Sequence, residues 1–355
     1  MEKKPLKYVL NVLFIVLILA VTFRLVFSGH ELSEIAADMR TASPLWIGIG
    51  ALLVFLHVAG EAAVIHYMLR KLSQKTPFLR CLKYSFIGFF YCDITPSASG
   101  GQPMQMYYMK RDGIRYGYST LIMMLITIAY KAVLVICGGV FLILRSDTVT
   151  NYAGSITWLL ALGFVLNISF IALLVLLVLR PKWVRKIGLK LILWLAAHRL
   201  MTQKTSDRLT AKINRICDTY TAGAKYIRQN PHVLLRIFVM TALQRLCQFA
   251  VTWVIYRAYG LSGVPFIDIL TLQIMISVAA EMLPLPGAAG ITEGCFMVVF
   301  TRIFGEELVR PALLLSRGLS YYLVLMTGGI AAFAAHMSLT LRSRKEEAAS
   351  ASEKK

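Results

Sequence analysis

The sequence predicts an all-α integral membrane protein: six full spans plus two re-entrant broken-helix hairpins, arranged as an inverted repeat. Three observations carry this. Hydrophobic residues make up 57% of the 355 residues, and mean hydropathy is +0.66, outside the range of soluble chains. Several apolar runs reach the roughly 20 residues needed to cross a ~30 Å hydrocarbon layer. Two short stretches 188 positions apart break such runs in the same way. Asp93-Ile-Thr-Pro-Ser-Ala-Ser-Gly-Gly-Gln-Pro103 and Glu281-Met-Leu-Pro-Leu-Pro-Gly-Ala-Ala-Gly290 each place proline three residues after an acid and then run into small residues.

Full spans are expected over about 8–27, 44–69, 117–144, 155–179, 233–258 and 311–338. The first follows Lys3, Lys4 and Lys7, is too long for a signal-peptide core and precedes no cleavage site, so it reads as a retained span. The broken regions, about 82–106 and 266–304, contain shorter apolar runs cut by Pro and Gly and read as hairpins. Repeat one then covers about 44–144 and repeat two about 233–338, within a membrane domain of residues 1–341. Between the repeats, Trp183, Val184, Ile187, Leu191, Trp194 and Leu195 recur at helical spacing with Arg185, Lys186 and Lys190 among them. A helix lying in the inner interface fits, because anionic lipids attract its basic face. A second amphipathic helix is expected over 206–228, with Leu209, Ile213, Ile216, Tyr220 and Ile227 on one side; the charged tail 342–355 is expected to be disordered.

Orientation follows from Lys and Arg. With the amino terminus inside, cytoplasmic segments carry 28 of them and outer loops 5, which predicts a multi-pass protein of the plasma membrane with both termini cytoplasmic. The net charge of +20 is thereby assigned to a membrane face, and nucleic acid is not an expected partner. Trp46, Trp158 and Trp253 fall near outer span ends and Trp183 near an inner one, as an aromatic belt requires. In this topology the first hairpin enters from the cytoplasm and the second from outside, so the two can meet near the midplane. The six cysteines form no C-x-x-C pair and the six histidines are dispersed, so no metal or other cofactor is expected. There is no Walker A, H-E-x-x-H or G-x-S-x-G motif to support an enzyme or an ATP-driven pump.

An ionisable group inside a bilayer costs roughly 2.5–3.5 kcal/mol, which pairing or function must offset. Glu61, Asp93, Lys131, Arg245, Glu281, Glu293 and Arg317 are the candidates. Glu61 lies one turn after His57, on the same face. Taken singly, Glu61, Lys131, Arg245 and Arg317 also fit structural ion pairs within the bundle. Asp93 and Glu281 stand apart because each precedes a break. Ser97, Ser99, Gly100, Gly101 and Gln102 offer hydroxyls and backbone N–H groups suited to a phosphate. Charges of both signs amid apolar residues suit a phospholipid with an anionic phosphate and a cationic headgroup, and an amino acid or other charged solute fits the same inventory. On this reading the ammonium end meets Asp93, Glu281 and Glu293. The phosphate meets Lys131, Arg245, Arg317 and the Ser97–Gln102 backbone, so the first hairpin is expected to hold the phosphate.

The stretch from Asp93 to Pro103, with Tyr107, Tyr108, Met109, Lys110 and Gly113 after it, resembles the lysylphosphatidylglycerol synthase transmembrane family. So does Pro284-Leu-Pro286-Gly287-Ala-Ala-Gly290-Ile-Thr-Glu293-Gly294, against the family's P-x-P-G-G-x-G-x-x-E-G; Ala288 stands where the second glycine is usual. The resemblance spans essentially the whole membrane region. It implies a flippase-like domain that moves lysylphosphatidylglycerol or a related lipid to the outer leaflet of a bacterial plasma membrane, lending resistance to cationic antimicrobial peptides. It also implies site roles for Asp93, Ser97, Gly100, Gly101, Gln102, Pro286, Gly287, Glu293 and Gly294. Full-length members add a cytoplasmic aminoacyl transferase. This chain ends about 17 residues after its last expected span, so a stand-alone transporter is expected, with a separate transferase as the source of its lipid and a homodimer compatible with the pattern. The alternatives are a phosphatidylglycerol lysyltransferase-type membrane enzyme or its anchor, and a secondary transporter for a charged small solute.

Overall fold

The computed structural model describes residues 38–95, 98–197, 229–283 and 285–352, with scattered positions between 201 and 218. The expected first span, Pro96, Ser97, Pro284 and most of the second amphipathic segment, including Ile216, Tyr220 and Ile227, lie outside the described residues. Among the described residues every element is helical. The helices are α1 (Pro44–Lys71), α2 (Phe78–Asp93), α3 (Gly101–Arg111), α4 (Tyr116–Leu144), α5 (Ser146–Ala153), α6 (Thr157–Leu179), α7 (Pro181–Ala197), α8 (Pro231–Ala258), α9 (Phe266–Ala280), α10 (Ile291–Arg317) and α11 (Leu323–Ser352). Five described stretches are long and apolar enough to cross a membrane: Pro44–Lys71, Tyr116–Leu144, Ser146–Leu176, Pro231–Ala258 and Ile291–Ser338.

The last of these is not one straight rod. Over the 24 positions from Glu293 to Arg317 a continuous helix rises about 36 Å, yet Arg317 Nε lies 2.6 Å from Glu293 Oε1. The chain turns back at Gly305, whose φ of 81° and ψ of 166° suit glycine and little else. Residues 291–304 are therefore an outgoing arm that follows α9, and residues 306–317 a returning arm that continues through a wide five-residue turn, Gly318–Tyr322, into α11. This turn back falls where the expected second broken region ends. The short α5 and the wide turn were not anticipated, and α11 runs from Leu323 to Ser352.

Three contacts orient the bundle. Ser43 N–H donates to Ala258 O at 2.8 Å, setting the start of α1 beside the end of α8. Arg145 and Asp268 pair at 3.6 Å, setting the end of α4 and the start of α9 at that same end. Lys83 and Asp112 pair at 2.6 Å, closing the base of the α2–α3 hairpin at the opposite end, where α4 begins. The two broken motifs thus approach each other from opposite ends. Tyr321 Oη, which donates to Asp93 O at 3.3 Å, joins the first break to the last helices.

Helices meet through small residues, as dispersion-driven packing in lipid demands. A Cβ on Gly163 of α6 would lie 2.3 Å from Val278 O on α9. Asn167 reinforces that contact, donating to Gly163 O at 2.8 Å and Val278 O at 3.3 Å. The buried apolar residues form two clusters. One gathers Val54, Val58, Leu134, Phe249, Val278, Phe296, Phe300 and Phe304. The other gathers Ala62, Ile65, Leu69, Tyr84, Leu125, Ala129, Val233 and Ile237. Along α1, α4 and α8 the change from one cluster to the other falls near mid-helix, around His57 and Glu61, Tyr130 and Lys131, and Gln244 and Arg245. A polar layer separates two apolar cores. Outside the bundle, Trp158 and Val165 of α6 and Met326, Ile330 and Phe333 of α11 are exposed, as lipid-facing positions are.

Candidate functional site

The polar layer encloses a cavity of about 580 Å3. Both breaks reach it: Asp93, Ser99 and Gln102 from the first, Glu281, Leu285 and Gly287 from the second. Glu61 and His57 face it from α1, Lys131 and Tyr130 from α4, and Arg317 and Tyr321 from the returning arm and the wide turn. Phe89, Ile126, Phe170 and Phe296 supply apolar wall between them.

Glu281 caps α9, where the end of the helix dipole disfavours a carboxylate and calls for cations. Two are present. Arg245 Nη2 donates to Oε1 at 2.5 Å, and Lys131 Nζ lies 3.6 Å from Oε2. Arg245 is wholly buried, with 0% side-chain exposure. It donates also to Tyr130 Oη and to Gln248 Oε1 at 2.7 Å, and stacks over Phe249 at 4.4 Å. It does not line the cavity; it braces Glu281 from behind. Lys131 does line the cavity, and its ion pair is too long to occupy its donors.

The second break is held by a separate pair. Glu293 Oε2 accepts the Gly290 N–H at 2.7 Å, which caps α10, and Oε1 accepts from Arg317. Arg317 also donates to Gly287 O at 3.1 Å and lies 4.8 Å over the Tyr321 ring. Gly287 has φ of 55°, and a Cβ there would sit 2.2 Å from the Tyr321 ring, so both the turn and the close approach require glycine. Ala288, in the position where glycine is usual, has φ of 51° and adopts the left-handed conformation regardless. Pro286 opens the short helical turn Pro286–Ala288.

In the first break, Gly100 N–H donates to Thr95 Oγ1 at 2.9 Å and is thus engaged within the loop. Gly101 packs on α2, where a Cβ would lie 2.3 Å from Cys92 Sγ. Gln102 donates to Thr127 Oγ1 on α4. Among the described residues no salt bridge or side-chain hydrogen bond reaches the Asp93 carboxylate. Glu61 likewise has no ion pair; it accepts from Gln105 Nε2 at 2.5 Å, an amide that Gly88 admits.

The structure therefore brings Glu61, Asp93, Ser99, Gln102, Lys131, Glu281, Gly287 and Arg317 to one cavity. Arg245 and Glu293 stand one step behind it as partners, and Gly100 and Gly101 shape the loop. Sequence reasoning did not single out Gln105, Gln248, Gln273, Thr252 or Tyr321. Neutral amides and hydroxyls within apolar runs were the available signal. Among the described residues no group of His, Cys, Asp and Glu is arranged to hold a metal ion.

A family model described as the lysylphosphatidylglycerol synthase TM region matches residues 8–328. A UPF0104 membrane protein of Archaeoglobus fulgidus is 24% identical over 262 residues, which are 73% of this chain and 77% of that protein.

Proposed function

The chain belongs to the lysylphosphatidylglycerol synthase transmembrane family, and from that membership and its two-signed cavity we propose that it translocates an aminoacylated phosphatidylglycerol from the inner to the outer leaflet of a bacterial plasma membrane. The observation that carries this is that one cavity holds uncompensated groups of both signs. Lys131 lines the cavity and, with Arg245 behind it, outnumbers Glu281, leaving a positive charge, whereas Asp93 and Glu61 line the same cavity without a cation bonded to either. A ligand with a phosphate and an ammonium group satisfies both. A cavity of about 580 Å3 falls in the range of headgroup-sized ligands, so acyl chains would stay in the bilayer while the headgroup crosses.

These pairings refine the residue roles expected from sequence. Arg317 and Glu293 neutralise each other, and Glu281 is already held by two cations. In this reading Asp93 keeps the ammonium end and Lys131 the phosphate, Glu61 joins Asp93, and Glu281 and Glu293 no longer contact the ligand, so the first hairpin takes the ammonium end rather than the phosphate. Export of such a lipid lowers negative charge at the outer surface, consistent with resistance to cationic antimicrobial peptides.

Translocation of fluorescent lysylphosphatidylglycerol in proteoliposomes tests the reading. Each lost charge-assisted contact is worth roughly 1.5–3 kcal/mol, so Asp93→Asn and Lys131→Ala are each expected to slow translocation about 10- to 100-fold. Wild-type rates in both variants would remove the site, and headgroup-independent scrambling would remove the substrate class.

A further inference from the structure

A lipid of net charge +1 leaving the cytoplasm moves against a negative-inside potential, so its export needs a drive. Among the described residues, three cations (Lys131, Arg245 and Arg317) stand against four carboxylates (Glu61, Asp93, Glu281 and Glu293) on the cavity wall or bonded directly to it. One negative charge is left over. Asp93 and Glu61, which are unpaired, carry two negative charges, Lys131 and Arg245 against Glu281 return one positive charge, and Arg317 and Glu293 cancel. An uncompensated charge in a largely apolar site is expensive, so a change of exposure from one leaflet to the other is favoured only when that charge is cancelled. A ligand of net charge +1 cancels it. A single proton on either carboxylate does the same.

We propose that the cavity exchanges one cationic lipid headgroup for one proton at a shared site, Asp93 and Glu61, coupling lipid export to proton entry. The inference rests on the lipid-translocation reading. The proton is taken from water on the outer side by a carboxylate oxygen and released to water on the cytoplasmic side when the next ammonium group displaces it. One positive charge leaves and one enters, so the cycle carries no net charge across the membrane.

The surroundings of the two carboxylates fit a site that alternates between a proton and an ammonium group. Asp93 is faced by Arg317 and Tyr321 from the returning arm and wide turn, and by Cys92 beside it on α2. Arg317 is already neutralised by Glu293 at 2.6 Å. Glu61 is faced by Gln105 of α3, Cys92 of α2 and Tyr130 of α4. His57, one turn earlier on α1 and only 5% exposed, lines the same cavity. Its Nδ1 lies 3.1 Å from Gln244 O, which assigns the ring proton to that nitrogen. Among the described residues no hydrogen bond reaches Nε2, and the ring lines the cavity. Lys131 and Glu281 complete the charged lining from the other side.

The test uses the full chain in proteoliposomes with fluorescent lysylphosphatidylglycerol, reading the leaflet ratio at steady state. With a pH gradient of one unit and no potential, one-for-one exchange accumulates the lipid about tenfold in the leaflet on the acidic side. With a potential of ~100 mV and no pH gradient, the ratio stays unchanged, whereas an uncoupled lipid of net +1 shifts about fiftyfold. Asp93→Asn and Glu61→Gln are each expected to abolish the response to pH. The wild-type ratios decide the matter even where a variant folds poorly. Lipid that crosses but follows voltage rather than pH overturns the exchange and leaves translocation standing. No lipid crossing under any gradient overturns both.

Discussion

Arg245 is the largest side chain among those buried almost completely from solvent in the described structure, and its charge depends on one carboxylate. Removing one partner of a buried pair typically costs about 3–5 kcal/mol. Glu281→Gln is therefore expected to lower the thermal midpoint in detergent sharply, while Arg245→Met combined with Glu281→Leu costs less; equal stability of Glu281→Gln and wild type would contradict the pairing. At Ala288 the direction is opposite. A non-glycine residue in the left-handed region costs roughly 1–2 kcal/mol, partly returned by glycine's backbone entropy, so Ala288→Gly is expected to raise the midpoint by the equivalent of about 0.5–1 kcal/mol. Gly287→Ala, driving a Cβ into the Tyr321 ring, is expected to lower it. The charged residues of the site were legible because a charge in an apolar run is costly and conspicuous. Their pairings were not, since Glu281 meets Arg245 from 36 positions away and only the packing of α4, α8 and α9 decides that Lys131 shares it. Gln105 and Gln248 escaped notice because a neutral amide carries a smaller penalty.

The hairpin formed by α2 and α3 depends on a latch at its base. Burial works against ionisation of Asp112, but hydrogen bonds from Lys83 Nζ and Tyr84 Oη, both at 2.6 Å, and the charges of Lys83 and Arg80 hold its carboxyl below the usual range. A depressed carboxyl contributes stability above its unfolded pKa and loses it as pH falls through the folded one. Asp112→Asn is thus expected to lower the thermal midpoint at neutral pH, by about 1–2 kcal/mol equivalent. Its difference from wild type should vanish as pH drops below the carboxylate range. A gap that persists in acid would mean that the latch is steric. At this scale the two Pro/Gly breaks and the end of the second broken region were readable from composition, because a breaker must interrupt an apolar run to be seen. The wide turn at Gly318–Tyr322 leaves the run apolar and helical and gives no such trace.

Across the whole molecule, the two breaks come in from opposite ends of the bundle, so the loop before α2 and the loop before α9 are expected on opposite sides of a membrane. In an otherwise cysteine-free protein, Lys75→Cys and Ser262→Cys, both at exposed positions, are expected to react with a membrane-impermeant maleimide from opposite faces. Labelling from one face would invalidate the inverted arrangement. The polar layer has a further bearing on how this protein comes apart. Each of α1, α4 and α8 is anchored in two apolar cores with a cavity between them, so each core is expected to behave as its own cooperative unit. Amide deuterium uptake should then be fastest not only at the helix ends but around His57, Tyr130 and Gln244, at the centre of the bundle. A protein built this way is expected to melt from its middle outward, and the layer expected to be weakest is the one that the proposed translocation requires to open.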